Sequence, residues 1–142
     1  MNVIEKLTQK DNTAAYHSLL ELEAISAESG ALYGYFEDFL RLLSHRSSFV
    51  RIRGFRMCCA QAPWDSGNKL GRNLAELLTM LEDEKPAAVR QCLAALPVVT
   101  LYKPELCGEI AEKLENLDLT KYNDSMRPLI EKDIAQLKKS LD

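Results

Sequence analysis

The sequence predicts an all-α fold, an α-α superhelix of about four helical hairpins built from eight helices, and three observations carry that prediction. Apolar residues recur at helical spacing along most of the chain, and strand-type alternation is nearly absent. Pro86, Pro104 and Pro128 each stand just before a helical pattern, where the missing N–H costs little. A hydrophobic-arginine pair recurs as Val50-Arg51, Val89-Arg90 and Met126-Arg127, so the arginines lie 39 and 37 residues apart. Two helices per period near forty is the signature of a helical repeat array.

The eight segments fall near 2–9, 12–29, 32–44, 47–61, 69–82, 86–96, 104–116 and 125–140. Asp11, Ser47 and Asn123 head clusters of side-chain oxygens that can cap the helix that follows. Glu28-Ser29-Gly30 ends the second helix at a C-terminal glycine. Paired in order, the helices give hairpins at about 1–29, 30–61, 62–101 and 102–142. The connections are short except 62–73, so neighbours are expected antiparallel. At 142 residues the chain suits one domain able to bury its own core.

The arginines need an account, because each falls within apolar sequence. With Arg51 at the centre of a helical wheel, Val50, Phe55, Met57 and Cys58 spread around it, and Arg53 and Arg56 fall on the opposite side. Arg90 is centred among Val89, Leu93 and Leu96, and Arg127 among Met126, Ile130 and Ile134. The aliphatic stem can pack on that face while the guanidinium reaches a carboxylate or an orphan carbonyl. Arg51, Arg90 and Arg127 are therefore expected to be structural, tying one hairpin to the next.

"LEDEKPAAVRQCLAAL" (81–96) resembles a HEAT repeat: leucine, aspartate, proline, then Val-Arg and a helix of small residues. "LLSHRSSFVRIRGFRMC" and "LTKYNDSMRPLIEKDI" are looser matches. The whole chain also resembles small bacterial HEAT-like proteins. The resemblance implies a binding scaffold of armadillo type. The aspartate seven residues before the arginine occurs at Asp83, while Ser44 and Thr120 hold the matching places.

No catalytic signature is present. The four cysteines, Cys58, Cys59, Cys92 and Cys107, form no C-x-x-C pair, and neither His17 nor His45 sits at ligand spacing. Reduced thiols packed as small hydrophobes are expected, with no metal and no cofactor. G-x-S-x-G, P-loop and G-x-G-x-x-G motifs do not occur, and the chain is read as non-enzymatic. The longest apolar run, 92–99, is far short of the ~20 residues that span a bilayer. The start, "MNVIEKLTQKDN", has no apolar signal region. No membrane partner and a cytoplasmic address are expected.

Charge is unevenly placed. The net −3 comprises an acidic 1–40, a 41–72 segment with seven basic residues against Asp65 alone, and an acidic 73–142. Arg53, Arg56 and Arg72 are the binding candidates in the basic segment, with Trp64 in the longest loop as a contact residue or a plug over the core edge. The resulting expectation is a protein–protein interaction scaffold with an unknown protein partner. The alternative is nucleic-acid or phosphate binding through 41–72. Some HEAT-like proteins, among them a class of alkylpurine DNA glycosylases, use a basic concave face in that way.

Overall fold

Asp11 opens the longest helix of the chain by accepting hydrogen bonds from the backbone N–H groups of Thr13 and Ala14. That helix, α2 (Asn12–Glu28), follows a short α1 (Val3–Thr8). In this computed structural model, which describes residues 1–141, the further α-helices are α3 (Phe36–Arg41), α4 (Ser48–Ala60), α5 (Lys69–Arg72), α6 (Leu74–Leu78), α7 (Pro86–Ala95), α8 (Pro97–Tyr102), α9 (Cys107–Glu115) and α10 (Arg127–Lys138). Short 3₁₀ turns extend α3 at both ends, α6 at its end and α9 at its start. Among the described residues there is no strand, and the chain is all-α.

The second helices of the expected hairpins form a series: α2 packs on α4, α4 on α7, and α7 on α10. α1 and α3 pack against this layer, as does the Thr79–Glu82 turn. One buried cluster runs through the described residues from Leu7 to Leu137.

Three local features differ from the sequence expectation. The 69–82 segment is interrupted at Asn73, which ends α5 and begins α6. Pro97 starts α8 within a stretch read as a connection, by the same N-terminal proline logic that marks Pro86. Gly30 does not end α2 in the left-handed region; Ser29 closes the helix in extended backbone. Gly30 is small because the Trp64 ring lies against it, 3.3 Å from where a Cβ would stand.

α4 is the centre of the molecule. It contacts α1, α2, α3, α7 and α8, so the face that holds Arg53 is covered, while Phe49 and the Arg56–Ala60 stripe stay open. Gly54 lets α3 come close, since a Cβ there would stand 2.6 Å from Leu42 Cβ and 2.7 Å from the Phe39 carbonyl oxygen. This crowding overturns the placement of Arg53 on an exposed face. Arg53 is 4% exposed, and its Nε donates to the Leu7 carbonyl at 2.8 Å, anchoring the end of α1.

The recurring arginines are resolved individually. Arg51 donates from Nε and Nη2 to both carboxylate oxygens of Asp83 at 2.9 and 3.1 Å, and from Nη1 to the His45 and Arg46 carbonyls. Arg90 reaches Asp133 on α10 rather than the turn at Thr120. Both join successive hairpins. Arg127 does not; it donates to Leu119 and Tyr122 carbonyls within its own hairpin and pairs with Asp124. The Tyr122 hydroxyl donates to the Asp83 carbonyl at 2.7 Å. Hydrogen bonds thus run from turn to turn along one edge: His45 to Arg51, Asp83, Tyr122 and Arg127.

Candidate interaction groove

Helical phase builds the groove. On α2, Tyr16, Leu20, Glu23 and Ala27 fall on one stripe. On α7 and its continuation into α8, Gln91, Ala94, Ala95, Val98 and Tyr102 do the same. Between them α4 presents Arg56 and Ala60. Glu23 and Ala27 of the first stripe face the second across α4 and line a groove of about 490 Å³. Its floor is low because alanines form much of it, and the buried thiol of Cys59 closes it.

A polar group sits among these apolar surfaces. Arg56 donates from Nε and Nη2 to the two oxygens of Glu23 at 3.0 and 2.7 Å, and from Nη1 to Gln91 Oε1 at 3.3 Å. The Tyr16 ring lies 6.0 Å from the guanidinium carbon. Burial works against the Arg56 charge, but the Glu23 hydrogen bonds and charge outweigh it, and its pKa is raised. Arg53 is moved the other way, its pKa lowered by burial.

Two shallower clefts continue the groove. One of about 680 Å³ shares Pro63 and Tyr102 with it and reaches Trp64. One of about 350 Å³ shares Gln91 and Ala94 and reaches Arg90 and Asp133. Each cation lining the three clefts has an anionic partner: Arg56 with Glu23, Arg90 with Asp133, and Lys103 with Asp65. Asp65, buried in the long loop, also accepts from the Tyr33 hydroxyl and from the backbone N–H groups of Lys69 and Leu70. That carboxylate ties the 62–73 loop to Tyr33, to Lys103 and to the start of α5.

The four binding candidates do not form one surface. Arg56 lies in the groove and Trp64 lines the adjoining cleft. The Trp64 indole N–H is spent on the Ser26 carbonyl at 2.6 Å, so the residue is a plug with one edge on the cleft. Arg53 is buried. Arg72 is exposed, lines none of the three clefts and stands near Glu37, whose pKa is lowered first by the Lys69 hydrogen bond and least by the Arg72 charge. Glu23, Gln91 and Tyr102 went unread in the sequence. The signals were there: an α2 stripe with a glutamate within it, and a second helix-starting proline at Pro97.

Cys58, Cys59 and Cys92 are buried, and burial raises all three thiol pKa values. Cys107 is partly exposed. Among the described residues no group of three or more His, Cys, Asp or Glu side chains is placed to hold a metal ion, and no helix is long and apolar enough to cross a membrane. No family model, curated protein or solved structure matches the chain.

Proposed function

We propose that this chain is a HEAT-like, non-catalytic interaction module of the cytoplasm, and that the groove between α2, α4, α7 and α8 receives a protein partner. The observation that carries the reading is the pairing of charge inside an otherwise apolar concavity. Polyanion binding depends on cations free to replace counterions. The groove and its two adjoining clefts supply none, since Arg56, Arg90 and Lys103 are each matched by a carboxylate. The helices that form the groove carry exposed large side chains instead. Tyr102, 53% exposed, lines it; Tyr16, 47% exposed, lies beside Arg56; and Phe49, in phase with Arg56 on α4, is 54% exposed. The series α2, α4, α7, α10 and the Arg51–Asp83 joint support the HEAT-like part of the reading.

The test is a photo-crosslinking side chain placed at Ala94 in the groove and, as a control, at Gly108 on α9. A partner captured from Ala94 but not from Gly108, whose purified form loses binding to the Ala94→Glu variant, is the expected result. Equal capture from both positions, or binding indifferent to Ala94→Glu, overturns the reading. Tight, salt-dependent binding of random-sequence DNA or RNA would favour the nucleic-acid alternative in its place.

A further inference from the structure

We infer that the partner segment seated in the groove is an α-helix carrying one apolar stripe interrupted by a single uncharged polar residue. This rests on the interaction reading above and narrows it. The first reason is backbone hydrogen bonding. The walls are the helices α2, α4, α7 and α8, whose interior N–H and C=O groups are committed to their own ladders. The walls offer no sheet edge. An extended segment would turn part of its own backbone toward a floor that cannot pair with it, whereas a helix arrives already satisfied.

The second reason is depth. Ala27, Ala60, Ala94 and Ala95 keep the surface low along three neighbouring helices. Small side chains permit interaxial distances near the lower end of the ~8–10 Å range for packed helices. The taller Tyr102 lines the groove and the exposed Tyr16 ring lies 6.0 Å from the Arg56 guanidinium carbon, where apolar residues spaced i, i+3 or i+4, and i+7 on an incoming helix can meet them.

The third reason is charge complementarity. Glu23, Arg56 and Gln91 make one polar point between apolar ends, and the guanidinium is already neutralised by Glu23. A charged partner residue placed there would lose hydration without gaining a free countercharge. A hydroxyl or amide can instead exchange hydrogen bonds with the carboxylate edge and the Gln91 amide.

The probes are two displayed peptide libraries of roughly 20 residues, long enough to support a helix. One is an Ala/Lys/Glu host randomised at i, i+3, i+4 and i+7; the other holds proline-rich and alternating extended sequences. Binders are expected from the first library only, with a hydroxyl or amide at one stripe position, and a synthetic binder should gain helical circular dichroism on binding. Its affinity should fall at least about tenfold, or 1.4 kcal/mol, with Ala94→Glu. Tyr102→Glu, on an exposed wall, gives the same readout if Ala94→Glu does not fold. Binders from the extended library that share this sensitivity overturn the helix while leaving the groove in place. Helical binders indifferent to both variants overturn the groove itself. Absence of binders from the first library overturns the helix inference.

Discussion

Two arginine–carboxylate pairs of identical chemistry divide the molecule. On the turn edge, Arg51 grips Asp83 with Nε and Nη2; in the groove, Arg56 grips Glu23 with the same two nitrogens. What differs is where the remaining donor goes. Arg51 spends Nη1 on two backbone carbonyls of the preceding turn, and Asp83 in turn accepts from the Lys85 backbone N–H. The pair is therefore a joint between main chains. Arg56 spends Nη1 on the side chain of Gln91, so its bonds can rearrange without moving a backbone. The same ion pair holds the fold in one place and furnishes a surface in the other.

The widest separation of the two should come from removing each guanidinium. Arg51→Ala strands Asp83, whose side chain is 8% exposed, and frees the two turn carbonyls. Breaking a buried pair by removing one partner costs about 3–5 kcal/mol, and the partly hydrated Arg51 end places the expected loss near the lower figure. Urea unfolding of parent and variant measures it. A loss below about 1 kcal/mol would mean that the hairpins are joined by apolar packing alone.

The turn edge was also the part most legible in the sequence. Arginines repeated at a period near forty, each centred on an apolar arc, marked out Arg51 and Arg90, which bond forward along the chain to Asp83 and Asp133. Arg127 departs: its donors fold back on the Leu119 and Tyr122 carbonyls and on Asp124 of its own turn. The groove was legible only in part. Arg56 stood out as a basic residue, but its partner Glu23 lies 33 positions earlier in the chain. A wheel for α4 alone could not reveal that the end of α1 covers Arg53 and buries it. Composition likewise registered a basic segment without showing that folding delivers a carboxylate to Arg56, Lys69 and the neighbouring Lys103.

Tyr122 sharpens the joint with a smaller effect. Its hydroxyl donates to the Asp83 carbonyl, and burial first, then the charges of Asp83 and Glu82, pushes its pKa up to about 12. The folded state thus prefers the neutral phenol. Its contribution is complete below the unfolded value near 10 and is lost as pH rises from about 10 to 12. The raised pKa values of Cys58, Cys59 and Cys92 act with the same sign from about pH 9 upward, where unfolded thiols ionise. Stability followed by denaturant midpoint should therefore begin to fall near pH 9 and fall more steeply above about pH 10. Tyr122→Phe should cost about 1 kcal/mol at pH 7 for the lost hydrogen bond and lessen the added steepness above pH 10, leaving the part due to Tyr33, whose pKa is also raised by burial. A variant with an unchanged alkaline profile would place the sensitivity elsewhere.

The smallest effect is expected at the groove pair itself. The Arg56 and Glu23 side chains are 19% and 26% exposed, so water can reach either one when its partner is removed. Arg56→Ala and Glu23→Ala should each cost about 1 kcal/mol or less, and the double-mutant cycle should return a coupling of about 0.5–1 kcal/mol that shrinks with added salt. Helicity should stay at the parent level, because neither side chain caps a helix or holds a backbone group. A coupling of 3 kcal/mol or more, unmoved by salt, would make Arg56–Glu23 a second joint. The centre of the groove would then be too rigidly committed to exchange hydrogen bonds with a partner. A small coupling, with partner binding weakened by Arg56→Ala more than stability is, separates the two pairs as the geometry divides them: one spent on main chain, the other available at the floor of an open groove.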